Sequence, residues 1–168
     1  MRCLSFFTDD EFFAVDVTLV QKVARKMTVT PVPTAPDAVV GIANLKGRVV
    51  TLLSLSELLG RKIKRAGGPA NDAVDTVDAV VFKSFSGGDN QIGLVIDKPG
   101  NLIDIDDGTI SLPSLTTGAE ESFCISGIAE VDNRFYRIIS IDSIIERYRH
   151  TGEKAANTML AEGEENDE

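Results

Sequence analysis

A chain of 168 residues that is 43% hydrophobic, has no Trp and carries a formal net charge of −9 holds apolar material for one domain, or for two small lobes sharing a core. The negative balance argues against nucleic acid as the main partner. No run approaches the roughly 20 apolar residues of a membrane span, and the opening MRCLSFF lacks the basic, apolar and small-residue order of a signal peptide, so direct membrane insertion is not expected.

In chain order, the first signal is a hairpin. Cys3–Thr8 and Phe12–Val17 are short apolar runs joined by Thr8-Asp9-Asp10-Glu11. Thr18–Ala24 fits two readings, a helical face through Leu19, Val20 and Val23 or a β-branched strand. Pro31, Pro33 and Pro36 exclude a helix across Lys26–Asp37 and predict an extended path around a sheet edge. Val39–Leu45 and Arg48–Leu55 then flank Lys46-Gly47, a tight hairpin in which Gly47 accepts the positive φ of the turn. In the second run, Val49, Thr51, Leu53 and Leu55 line one face, while Val50 and Leu52 line the other. A strand apolar on both sides predicts a packed layer on each. Ser54-x-x-Glu57 reads as a capping box, with Gly60 closing a single helical turn.

Arg61–Asp75 is a loop by composition, with Gly67-Gly68-Pro69 and Asn71-Asp72. Val77–Phe85 and Gln91–Asp97 follow as strands around residues 86–90, and Leu102–Ile105 continues as another. Thr109–Phe123, with Pro113 and Gly118, reads as an irregular excursion. Cys124–Val131 and Arg134–Ile141 pair across Asp132-Asn133. Asp142 is the expected N-cap of a short helix that turns Ile144, Ile145 and Tyr148 inward. Residues 151–168 hold six acidic residues and one Lys and are expected to be disordered or a frayed helix. The predicted domain is therefore 1–150. Short strands joined by hairpins make an all-β barrel or sandwich, and no alternation with full-length helices supports a parallel α/β sheet.

A search for reactive groups returns little. His150 is the one His, at the end of a predicted surface helix, where a solvated ring is favoured by the helix dipole. Phosphate-cradling glycine loops and a G-x-S-x-G turn are both missing. Asp104-Ile-Asp106-Asp107-Gly108 fails as a calcium loop, because Gly108 stands at the fifth place and Leu115 occupies that of the closing Glu. Those acids read as turn residues. Cys3 and Cys124 read as buried free thiols of a reducing cytoplasm rather than as a metal or redox pair. Arg61–Arg65 is a basic run without neighbouring aromatics and reads as a solvated loop. With no nucleophile–base pair, cofactor motif or metal cluster, a binding module is favoured over an enzyme.

Residues 11–60 bring in a family. EFFAVDVTLVQKV, then VTPVPTAPDAVVGIANLKGRVVTLLSLSELLG, closely resembles the CheW-like domain of bacterial chemotaxis coupling proteins. That family has an F-x-V-D strand, a V-x-E-V element, T-x-V-P-x-A-P, then G-V-x-N-L-R-G-x-V-x-P-V-x-D-L. IGLVIDKPGNLIDI and ISGIAEVDNRFYRIISIDSII extend the likeness, which covers nearly all of Cys3–Tyr148.

The resemblance implies two small SH3-like β-barrels packed over a shared hydrophobic core, with short helices including one near the C-terminus. It also implies a non-catalytic, cytoplasmic adaptor at the inner face of the membrane. Such an adaptor joins the regulatory domain of a CheA-type histidine kinase to the cytoplasmic helical tip of a chemoreceptor, in a helix-in-groove mode. By position, the receptor side would include Val20, Lys22, Gly41, Asn44, Lys46 and Gly93, and the kinase side Pro113 and Leu115. Each glycine also has a purely structural reading as a backbone requirement of the barrel, and Val20 reads equally as core. Departures stand at Lys46 (usually Arg), Lys22 (often Glu), Thr51 (usually Pro) and Ser54 (usually Asp). They leave open a scaffold of another kinase pathway. A small-barrel nucleic-acid binder is the reading from another class, and a salt-dependent shift with single-stranded oligonucleotides would mark it.

Overall fold

The computed structural model describes residues 1–61, 76–84, 91–113 and 123–149. Tight turns at Asp9-Asp10, Lys46-Gly47 and Asp132-Asn133, all with positive φ, fold neighbouring apolar runs into hairpins. The strands are β1 (Arg2–Thr8), β2 (Glu11–Asp16), β3 (Val20–Thr28), β4 (Val39–Leu45), β5 (Arg48–Ser54), β6 (Thr76–Phe82), β7 (Gln91–Ile96), β8 (Lys98–Asp104), β9 (Ile125–Val131) and β10 (Arg134–Ile139). They form two five-stranded sheets in the orders β8-β1-β2-β10-β9 and β3-β6-β7-β5-β4. Each sheet curls until its edges meet. Thr30 and Ile42 exchange backbone hydrogen bonds of 2.8 and 2.9 Å to close the second, and Ser111 and Ile128 do the same for the first.

Three apolar clusters follow from this curling. Cys3, Ala14, Ile105, Ala129, Tyr136 and Ile138 fill the first barrel. Ala24, Met27, Ala43, Val50, Leu52, Ala79 and Val81 fill the second. The largest lies between them, with Phe6, Phe13, Leu53, Phe82, Leu94 and Ile144 among its members. The mainly β fold with two small barrels over a shared core is as expected.

Several details differ from the expectations. Thr18–Ala24 resolves into a 3-10 turn, Val17–Leu19, and the start of β3. β8 begins at Lys98, not Leu102. Pro99 is tolerated there because β8 is an edge strand and a register shift opposite Leu4 and Phe6 relieves the ladder. Val49 is 53% exposed, so β5 is covered on both faces only from Val50 onward. Asp142 is not a cap. The helix α2 spans residues 141–149, and Ser140 caps it, its Oγ accepting from the Ser143 N–H at 3.4 Å. Ser140 is held there because its own N–H donates to the Cys124 carbonyl. Asp106 accepts from the Gly108 N–H, an ordinary turn role. The Arg61–Asp75 loop beyond Arg61, residues 86–90, His150 and the acidic segment 151–168 lie outside the described residues.

The two barrels share one topology. β8, β9-β10 and β1-β2 occupy the places of β3, β4-β5 and β6-β7, each with one parallel pair, β2 with β10 and β5 with β7. The match extends to sequence without a gap at an offset of 86 residues: Gly41/Gly127, Ile42/Ile128, Ala43/Ala129, Arg48/Arg134 and Ser54/Ser140. Ser54 caps α1 (Leu55–Leu58) as Ser140 caps α2. Charge breaks the symmetry. In residues 1–16, 97–113 and 123–137, Asp and Glu number ten against four Lys and Arg. In residues 17–61, 76–84 and 91–96, Lys and Arg number seven against three.

Candidate functional site

One row crosses the second sheet. Gly41 on β4 faces Leu52 on β5, then Gly93 on β7, Val81 on β6 and Lys22 on β3. Both glycines are buried. A Cβ at Gly41 would stand 2.5 Å from the Thr30 carbonyl oxygen, and one at Gly93 would stand 3.0 Å from Leu52 Cδ2. The bare backbone at Gly41 is what lets the barrel edges close. These two positions therefore act through barrel shape, and of the row only Lys22 meets solvent.

At the ends of the row the seam between β3 and β4 opens into a cleft of about 500 Å³, lined by Lys22, Arg25, Lys26, Thr28, Asn44 and Leu45 among others. A register shift between Ala24 and Met27 interrupts β3, and Lys26 adopts φ 52°. Its N–H then donates to Asp78 Oδ1 at 2.9 Å. Such a bulge turns side chains outward. Asn44 Oδ1 accepts from the Gly47 N–H at 2.8 Å and braces the turn that presents Lys46. Among the described residues no ion pair involves Lys22, Arg25, Lys26, Lys46 or Arg48. The arginines elsewhere are used differently. Arg61 and Arg137 converge on Glu11 at 2.6 and 3.2 Å, and Arg2 meets Asp104 at 3.1 Å.

Lys22 and Asn44 thus share one cleft, with Lys46 on the adjoining turn. Val20 lies at the start of β3 and packs, half-buried, against the central core. Pro113 is on the other barrel, just past the Ser111–Ile128 bridge, beside Leu112, which is 83% exposed. Leu115 lies outside the described residues. Arg25 and Lys26 were missed by the reading of the sequence; the signal was the unbalanced run Lys22-Val-Ala-Arg25-Lys26. Two departures from the family pattern have local roles. Thr51 is paired on both sides, with Ile42 and Ile92, and Ser54 caps α1. The other two, Lys22 and Lys46, face solvent.

Cys3 and Cys124 are both buried thiols that form no disulfide, and Cys124 Sγ donates to the Leu58 carbonyl at 3.6 Å. Burial, with the Asp16 carboxylate next in weight, pushes the Cys3 thiol up to about 11, the wrong direction for a nucleophile. Among the described residues no cluster of His, Cys, Asp or Glu is disposed to hold a metal ion.

The family model of the CheW-like domain matches residues 2–149. The chemotaxis protein CheW of Thermotoga maritima is 26% identical over 143 residues, covering 85% of this chain and 86% of the relative. That of Rhizobium meliloti is 27% identical over 142 residues, covering 84% of each. The crystal structure of the scaffolding protein TtCheW from Thermoanaerobacter tengcongensis shares the fold, with a TM-score of 0.66 at 23% identity, over 83% of this chain and 88% of that one. With the double barrel, the repeated Gly-Ile-Ala hairpins and a family match that runs from Arg2 to Arg149, this chain belongs to the CheW-like domain family.

Proposed function

We propose that this chain is a non-catalytic adaptor that couples the cytoplasmic helical tip of a chemoreceptor to a CheA-type histidine kinase in a chemotaxis complex. It would work in the cytoplasm, against the inner face of the membrane; among the described residues no helix is long and apolar enough to cross it. The family carries the class of function. The observation that supports the coupling is the separation of two surfaces. Lys22 and Asn44 line the open seam of the basic barrel, with Lys46 on the adjoining turn, while Pro113 lies on the acidic barrel. An adaptor needs such a pair, since partners that shared a face would compete. In this reading the seam meets the receptor tip and the Pro113 segment, with Leu115, meets the kinase regulatory domain. Val20, Gly41 and Gly93 support the receptor face from behind.

Lys22 and Lys46 predict a receptor tip with carboxylates opposite them, because complementary charge speeds encounter and like charge suppresses wrong partners. Exposed pairs are worth about 0.2–1 kcal/mol, so Lys22→Glu should weaken the cognate receptor peptide a few-fold, and the loss should fade in high salt. Affinity for the kinase regulatory domain should stay as it was. Titrations of wild type, Lys22→Glu and Lys46→Ala at two salt concentrations test this. Unchanged receptor affinity in a folded Lys22→Glu protein would remove Lys22 from the contact.

A further inference from the structure

We propose that the acidic end of the chain, Glu162–Glu168, docks in the basic seam between β3 and β4 and so competes for that face. Among the described residues, the seam is where cationic side chains gather without carboxylate partners. Lys22, Arg25 and Lys26 border it, and no described carboxylate pairs with their side chains. Asp78 is the acid nearest by bonding, and one of its oxygens is occupied by the Lys26 backbone N–H. Beyond the Thr30–Ile42 bridge, the facing edges of β3 and β4 pair only with β6 and β5, so an extended segment meets backbone donors and acceptors there as well as cations.

The chain itself carries the complement. Glu162, Glu164, Glu165, Asp167 and Glu168 fall within seven residues. The first barrel, already acidic, repels such a segment, and the second attracts it. Reach is sufficient. Twelve residues separate Arg149 from Glu162, and at about 3.3–3.6 Å each they span roughly 40 Å, more than the diameter implied by a radius of gyration near 15 Å. The starting point is favourable too, because Tyr148 of α2 packs on the same central core as Leu19 and Val20 at the head of β3.

If the receptor reading above holds, this segment is a tethered rival of the receptor tip, and its effective concentration makes it weak but constant. The test places a spin label on Leu160→Cys in the full chain. Cys3 and Cys124 are buried, so the engineered thiol reacts selectively. Paramagnetic broadening should be strongest at amides 22–28 and 44–46, shrink in high salt, and vanish in Lys22→Glu/Arg25→Glu/Lys26→Glu. Neutralising the acids of 162–168 to Gln and Asn should abolish it equally, without touching the barrel. Broadening elsewhere, or broadening at the seam that survives both sets of changes, overturns the proposal. So does broadening that shows up at the seam only when labelled and unlabelled copies are mixed, which would assign the contact to a second molecule. Receptor-peptide affinity separates the two readings. With the acids neutralised it should rise a few-fold; docking seen without that rise leaves this proposal standing and moves the receptor off the seam.

Discussion

Leu53 and Val49 share a face of β5, four residues apart, and meet opposite surroundings. Leu53 is 0% exposed in the core between the barrels, whereas Val49 is 53% exposed beside the hairpin turn. Leu53→Ala should cost about 2–5 kcal/mol, the transfer and cavity terms together. Val49→Ala should stay within about 0.5 kcal/mol, as surface changes do. Urea unfolding of both variants decides it; equal losses would mean that the second layer reaches the turn. Alternation along the strand correctly assigned the faces, since side chains must point to opposite sides. It carried no information on where the neighbouring barrel stops, because that edge is set by residues far away in sequence. Lys22 shows the same limit. Its place came from a family pattern, while Arg25 and Lys26 became visible only when β3 and β4 were brought edge to edge.

At the scale of elements, the legible features are those with a local cause. Positive φ at Lys46, Gly47, Asp132 and Asn133 makes the hairpins that the turn residues announce, and Ser54 caps α1 by the capping-box rule. α2 shows where local rules tie. Ser140 and Asp142 are both good caps, and the choice falls to Ser140 because its N–H is fixed by Cys124, more than a dozen residues away. Ser140→Ala should destabilise by about 1 kcal/mol, while Asp142→Ala, exposed in the first turn, should change stability by less than about 0.5 kcal/mol. Chemical denaturation of the pair is the measurement, and the reverse ranking would return the cap to Asp142. The Pro-rich stretch after Thr30 excludes a helix as its composition dictates, but it is not simply extended: it turns twice, the Ala35 N–H donating to the Val32 carbonyl and the Val39 N–H to that of Pro36, with Thr34 at φ 61°.

Viewed whole, the molecule is two copies of one arrangement that differ in charge and in how the chain enters them. The duplication was readable, since residues 39–59 and 125–145 align without a gap. It passes unnoticed because the matching residues are mostly interchangeable aliphatics, such as Leu52 and Ile138 or Leu58 and Ile144. The charge contrast was hidden for another reason: a net figure for the chain averages a basic lobe with an acidic one. Entry order has its own consequence. The second barrel is one continuous stretch from β3 to β7, whereas the first is stitched from both ends of the chain, with Phe13 of β2 beside Arg137 of β10. Closing that parallel pair joins residues more than a hundred positions apart, a late and slow event in a molecule that otherwise folds through short hairpins. During synthesis β1 and β2 leave the ribosome first and wait for their partners, exposing Phe6 and Phe13, until β10 has been made. Pulsed hydrogen exchange during refolding should find β6 and β7 protected before β2 and β10. Simultaneous protection would mean that the two barrels form as one cooperative unit. The ordered alternative makes the N-terminal hairpin the part of this protein most dependent on a chaperone, although it is made first.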